Sequence, residues 1–184
     1  QGSGYQNKKW GTERKVADTF EGYDFPIIRY AEVLLNYAEA MYELGTTGKA
    51  LDDALNISLN LVRLRVNPDM PKLTTSFVSE NNLNMREEIR RERTIELYNE
   101  GFRIDDLKRW NTAIVEMPKP ILGVKWTGTD FATSWAGASN MAKDSDGCLI
   151  LENSRRWGSK NDLYPLPVDQ CQLNPNLGQN PGWQ

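Results

Sequence analysis

Over residues 27–44 the apolar positions Ile27, Tyr30, Ala31, Leu34, Leu35, Ala38, Met41 and Tyr42 return every three or four residues, which predicts one helix. Asp24 and Pro26 supply an acidic cap and a proline near its first turn, and Gly45 closes it. A second helical pattern follows the short link 46–49, with Leu51, Ala54, Leu55, Ile57, Leu61, Val62 and Leu64 on its apolar side. It stops at Asn67 and Pro68. Two helices joined by so short a link must fold back antiparallel. Small residues at Ala31, Ala38, Ala50 and Ala54, a glycine at the turn and a closing proline are the devices of a tetratricopeptide hairpin. A single such unit cannot bury its own apolar face, so other helices must lie beside it.

The stretch 85–101 is the organising neighbour. It holds strong helix formers and has Gly101 as a left-handed terminator. On a helical wheel Met85, Ile89 and Ile95 define an apolar arc, and Glu88, Glu92, Glu96 and Glu100 run along it at spacing four. Inward carboxylates are costly unless arginines meet them. Glu92 and Glu96 are therefore expected to point inward and pair with one or more of Arg29, Arg63, Arg65 and Arg109. Glu87, Arg90 and Arg91 read as solvated charge. The row serves structure, not catalysis. A shorter helix at about 104–114 completes a helical core over 26–114.

Elsewhere the period fails. Residues 1–25 are irregular, interrupted by Gly2, Gly4, Gly11 and Gly22, and their rings Tyr5, Trp10, Phe20 and Tyr23 are expected to pack down. The linker 69–84 reads as an ordered loop. Past Glu116, prolines and glycines break up a long excursion over 117–162 that carries Trp126, Phe131, Trp135 and Trp157. A loop of that length in a compact domain is usually functional. The proline-punctuated tail from Leu163 to Trp183 reads as extended, wrapping back along the helices. The expected organisation is one mainly α domain over 1–184, with 115–184 as its loop-rich part.

Composition narrows the chemistry. At 184 residues the chain is long enough for a sizeable core, and its net charge of −3 offers no footprint for nucleic acid. No apolar run is long enough to span a membrane as a helix, and the polar start Gln1-Gly-Ser-Gly-Tyr-Gln6 is no signal peptide. There is no histidine. That removes Ser-His-Asp and Cys-His triads and the usual zinc and di-iron sites, so no metal or cofactor is expected. Cys148 and Cys171 could form a disulfide or stand as two isolated thiols.

Several ordered motifs carry a resemblance: Arg29-Tyr-Ala-Glu-Val-Leu-Leu-Asn-Tyr-Ala-Glu-Ala40, Arg90-Arg-Glu-Arg-Thr-Ile-Glu-Leu97, Glu100-Gly-Phe-Arg103, Asp106-Leu-Lys-Arg-Trp110, Tyr164-Pro-Leu-Pro167 and Leu173-Asn-Pro-Asn-Leu-Gly-Gln-Asn-Pro-Gly-Trp183. Together they resemble the C-terminal part of SusD/RagB proteins. The resemblance implies a tetratricopeptide-like helical core with a loop-rich C-terminal segment. It also implies a surface-exposed, lipid-anchored outer-membrane protein that binds glycans or other nutrients without cleaving them. Its expected partner is a TonB-dependent transporter. Members usually carry a signal, a lipidated cysteine and further hairpins, so this chain looks like the C-terminal portion of a longer protein.

The resemblance assigns these motifs to the scaffold, so ligand contacts must be argued from chemistry. Sugars offer apolar C–H faces and hydroxyl rims, which suit flat rings beside carboxylates and amides. Trp126 with Asp130, and Trp135 with Asn140, are the candidate groupings. A helical-repeat scaffold that binds a protein partner without a sugar site is the alternative. A glycosidase would need two carboxyls facing each other across a cleft, whereas Asp105 and Asp106 are expected in the first turn of a helix.

Overall fold

The structure, a computed structural model, describes residues 3–9 and 26–183. The expected cap Asp24 and the rings Trp10, Phe20 and Tyr23 lie outside the described residues. The chain divides into two compact units, Glu13–Arg103 and Gln1–Thr12 with Ile104–Gln184.

In the first of these, helix α1 spans Tyr30–Glu43. It starts three residues later than the apolar pattern does, and Ile27, ahead of it, is 88% exposed. The core-facing residues Ala31, Leu35 and Ala38 pack with Leu51, Leu55, Leu59 and Val62 of the returning helical arm of the hairpin. Gly45, at φ +83°, ends α1 as expected. The amides of Gly45 and Thr46 close on the Tyr42 and Met41 carbonyls at 2.9 and 3.2 Å, which satisfies the last turn.

The second predicted helix is two. α2 covers Gly48–Asn56 and α3 covers Leu59–Val66. The break falls at Ser58, whose buried hydroxyl donates back to the Ala54 carbonyl at 2.6 Å and competes with the backbone ladder. Two residues on, the buried Asn60 side chain clamps the main chain of Leu73. It accepts from the Leu73 amide at 2.7 Å and donates to its carbonyl at 3.0 Å. The linker is not a plain loop either. Leu73 and Val78 are buried, and Thr74 caps a short helix α4, Thr75–Glu80, by accepting from the Phe77 amide at 3.1 Å. Asp52 of α2 holds the start of α4 through the Thr75 amide and hydroxyl, at 2.7 and 3.0 Å.

Helix α5, Met85–Glu96, is capped by Asn84 and packs against α1 and α3. Gly101 takes φ +91° as expected, but the helix stops before it, at Glu96, and Asn99 in between also turns left-handed at φ +60°. Met85, Glu88, Ile89, Glu92 and Arg93 are buried. The sequence places Ile95 on the buried arc, whereas the structure leaves it 60% exposed. At about 100° per residue it stands about 120° round from Ile89, and Arg93 takes the inward place. The Arg93 guanidinium donates to Asn36 at 2.7 Å and lies 5.5 Å from the centre of the Phe102 ring.

The glutamate row does face inward. Glu92 is bonded to the buried Arg63, whose Nε also donates to the Pro71 carbonyl at 3.1 Å. Glu96 lies between Arg29 at 2.9 Å and Arg65 at 2.8 Å. Arg29 grips Glu100 with two prongs, at 2.6 and 2.8 Å, and the Glu100 side chain is only 4% exposed. Glu88 pairs with Arg91, whose side chain is exposed as expected of solvated charge, whereas Arg90, read the same way, is only 16% exposed. Arg109 meets Asp106 at 2.9 Å. Burial pushes the Glu92 carboxyl above its ordinary range, while Arg63 and Arg91 pull it partly back.

The other unit holds α6, Arg103–Arg109, and a single turn α7, Ala113–Glu116, where the sequence predicts one helix. Asn111, at φ +56°, turns the chain between them. Asp105 and Asp106 sit in the first turn of α6, as expected. The predicted excursion is more regular than its prolines and glycines imply. Strand β1, Ile121–Lys125, pairs antiparallel with β2, Cys148–Glu152. The Ser3 carbonyl accepts from the Val124 amide at 2.9 Å and lies so close to Gly123 that a side chain there would clash. The tail forms α9, Val168–Leu173, and is folded onto itself by side chains. Gln179 brackets the Leu166 backbone at 2.7 and 2.8 Å, and the Trp183 ring N–H donates to the carbonyls of Lys160 and Leu163. Tyr164 lies against α6, with the Lys108 ammonium 3.9 Å from its ring centre. Cys148 and Cys171 are both free thiols.

Candidate functional site

Residues 126–147, which join β1 to β2, carry all four candidate side chains. The segment is built around a small core of Val124, Ala138 and Leu149, onto which Trp126, Trp135, Met141 and Leu151 pack. Helix α8, Phe131–Ser134, and a 3-10 turn, Ala136–Ala138, bring the chain round. It then runs back beside β2, where the Ile150 amide donates to the Ala142 carbonyl at 2.8 Å.

Trp126 and Trp135 are brought together. The Trp126 ring N–H donates to the Trp135 carbonyl at 3.3 Å, and both rings are half-buried on the same core. A third party missing from the sequence reading is Lys143. Its ammonium sits 4.5 Å from the centre of the Trp126 ring and is held there by the Ser139 and Met141 carbonyls at 2.9 and 2.8 Å. Asp130 and Asn140 are exposed. The Asp130 carboxylate makes no hydrogen bond or ion pair among the described residues, and the Phe131 ring beside it is also exposed. Phe131 was legible as a neighbour of Asp130. Nothing local announced Lys143.

A second surface lies on the hairpin. Tyr30, Ala31 and Leu34 of α1 face Leu61 and Val62 of α3 across an open groove of about 460 Å³, with Arg29 and Arg65 at its sides. Ile28, Tyr30, Val33 and Tyr37 continue it as an exposed apolar stripe. Among the described residues no cluster of acidic or cysteine side chains could hold a metal ion, and no helix is long and apolar enough to cross a membrane.

Comparison with known proteins gives consistent results. The family model of the SusD family matches residues 1–183. A SusD-like carbohydrate-binding protein from Bacteroides fragilis is 31% identical, with a TM-score of 0.62 over 83% of this chain and 28% of its own. A second SusD-like protein from Bacteroides fragilis is 29% identical, with a TM-score of 0.58 over 85% of this chain and 25% of its own. This chain thus spans about a quarter of the length of these relatives. Among curated protein sequences there is no match.

Proposed function

The chain belongs to the SusD family, and from that premise we propose that it binds glycans without cleaving them at the bacterial outer-membrane surface and passes them to a TonB-dependent transporter. The observation that carries this reading is the 31% identity to a carbohydrate-binding relative across 83% of the chain. The segment 126–147 fits it, because it presents rings, a free carboxylate and hydroxyl side chains beside one another on a small fixed core. A lipid anchor would hold the protein at that surface.

A non-catalytic role is supported by how the carboxylates are spent. Glu88, Glu92, Glu96 and Glu100 all meet arginines, and the buried Asp106 meets Arg109. A glycosidase needs one acid kept protonated and another ionised across a sugar-sized gap. The test is native electrophoresis through gels containing soluble polysaccharides, paired with a reducing-sugar assay. Retardation without sugar release is expected. Release of reducing sugar would overturn the non-catalytic part, and free migration through every gel would overturn glycan binding.

The exposed stripe on α1 and α3 supports a second role, packing against a protein partner, which is compatible with the first. Apolar faces of this kind on a helical hairpin are contact surfaces in repeat architectures. A Leu61→Glu change should weaken co-purification with the transporter while leaving polysaccharide retardation intact.

A further inference from the structure

We propose that the ring stacking on the glycan is Phe131, that the Asp130 carboxylate beside it takes the sugar hydroxyls, and that the segment accepts neutral glycans and rejects acidic ones. This deepens the glycan-binding reading and rests on it.

Trp126 is the larger ring but is already occupied. One face lies under the Lys143 ammonium, its N–H is given to the Trp135 carbonyl, and it packs on the Val124–Ala138–Leu149 core. Lys143 in turn is fixed by two carbonyls, so freeing the ring would strand a cation and two acceptors. Trp135 is committed to the same core. Phe131 is not part of that core and is 41% exposed. It lies one helical turn before Trp135, whose amide donates to the Phe131 carbonyl at 2.9 Å, so the two side chains share a side of the turn. A pyranose laid on Phe131 therefore has the half-buried edge of a second ring within reach.

Polar recognition follows from the same turn. An ionised carboxylate is an acceptor only, with two oxygens that match adjacent hydroxyls of a sugar ring. Asp130 has no competing partner among the described residues. Thr127 and Thr133 are exposed nearby in sequence and can both donate and accept, while the Ser134 hydroxyl donates to the Asp130 carbonyl at 2.8 Å and is left as an acceptor.

Charge sets the ligand class. Between Trp126 and Ala142 the only ionisable side chain is Asp130. The flanking cations are Lys125, which ends β1, and Lys143, which is tied down over Trp126. A uronic acid or sulfate placed on Phe131 would face the Asp130 carboxylate with no free cation inside the segment to offset it. Like charges juxtaposed in this way disfavour the wrong partner.

The experiment uses the native-length protein in native gels containing neutral glucomannan, xyloglucan or soluble starch, against acidic polygalacturonate, alginate or chondroitin sulfate. The expected result is retardation by at least one neutral polymer and by none of the acidic ones. On the retarding polymer, calorimetric titration should show Phe131→Ala and Asp130→Asn each weaker by about tenfold or more. Both substitutions are at exposed positions, so their thermal melts should match the parent. If the parent is retarded but Phe131→Ala binds equally well, the site is elsewhere and the glycan reading stands without this one. Retardation confined to acidic polymers overturns the selectivity argument. If no polymer retards the parent, both readings fail together.

Discussion

Replacing Glu92 by alanine should destabilise the protein far more than an ordinary helix substitution. The Arg63 side chain is 4% exposed and Glu92 is its carboxylate partner. Removing Glu92 leaves a guanidinium in the interior that can neither reach water nor shed its proton. Breaking a buried pair from one side costs about 3–5 kcal/mol. For a chain of this length each kcal/mol moves the melting midpoint by about 2–4 °C, so the loss should be about 6–20 °C. Arg63→Ala should fall in the same range, with the exposed Pro71 carbonyl it releases turning to water. The discriminating variant is the double change Arg63→Leu with Glu92→Leu. Uncompensated charge, not the lost attraction, is the source of the penalty, so an apolar pair should recover most of it. Circular dichroism melts of the four proteins, checked by urea titration, read this directly. The reasoning is refuted if Glu92→Ala melts within about 1 °C of the parent. It is also refuted if the double variant is as unstable as the sum of the singles.

Other outcomes follow from the same contacts. Because burial raises Glu92 above its ordinary value of 4.5, the folded protein holds that proton at pH values where the unfolded chain has lost it. The stability this adds is complete below the ordinary value and is lost as pH rises through the folded one. The stability of the parent minus that of Glu92→Gln should therefore grow from about pH 7 towards about pH 4, and a difference that shrinks would mean the arginines dominate. Asn60→Asp keeps the acceptor for the Leu73 amide but removes the donor to its carbonyl, so it should cost about 1–3 kcal/mol. Asn60→Leu should cost more and speed hydrogen exchange at the Leu73 amide, which unchanged protection would contradict. Thiol titration in denaturant without reductant should count both Cys148 and Cys171, whereas a count of zero would show them joined.

The parts of the fold legible in the sequence are those fixed by local repeat. The core face of α1 follows from spacing alone, since Ala31, Leu35 and Ala38 fall inward wherever a helix forms there. The break between α2 and α3 follows from no glycine or proline. It is made by Ser58 bonding back to Ala54 and by Asn60 reaching Leu73, and the second contact spans thirteen residues. The strands were hidden for a similar reason. Ile121-Leu-Gly-Val-Lys125 shows little alternation and follows two prolines, and its partner lies beyond the whole segment 126–147.

The glutamate row and the tryptophans show why one kind of buried residue was readable and the other was not. A carboxylate on an inward arc admits few solutions, since without a cation or donors the helix cannot pack there. The sequence then has to supply arginines, and Arg29, Arg63 and Arg65 are the ones that answer. A tryptophan imposes no such demand. Its ring is equally at home as a plug or as a perch for a sugar, and its single N–H is satisfied by any carbonyl. What turns Trp126 towards the first role is Lys143 lying over it, brought there by the return of the chain beside β2. Residue type therefore constrains a site only as far as the cost of leaving that residue unpartnered. By that measure Asp130 is cheap to leave unpartnered, since its exposed carboxylate is solvated by water, and what marks it in 126–147 is its place: no partner among the described residues, and an uncovered ring next to it.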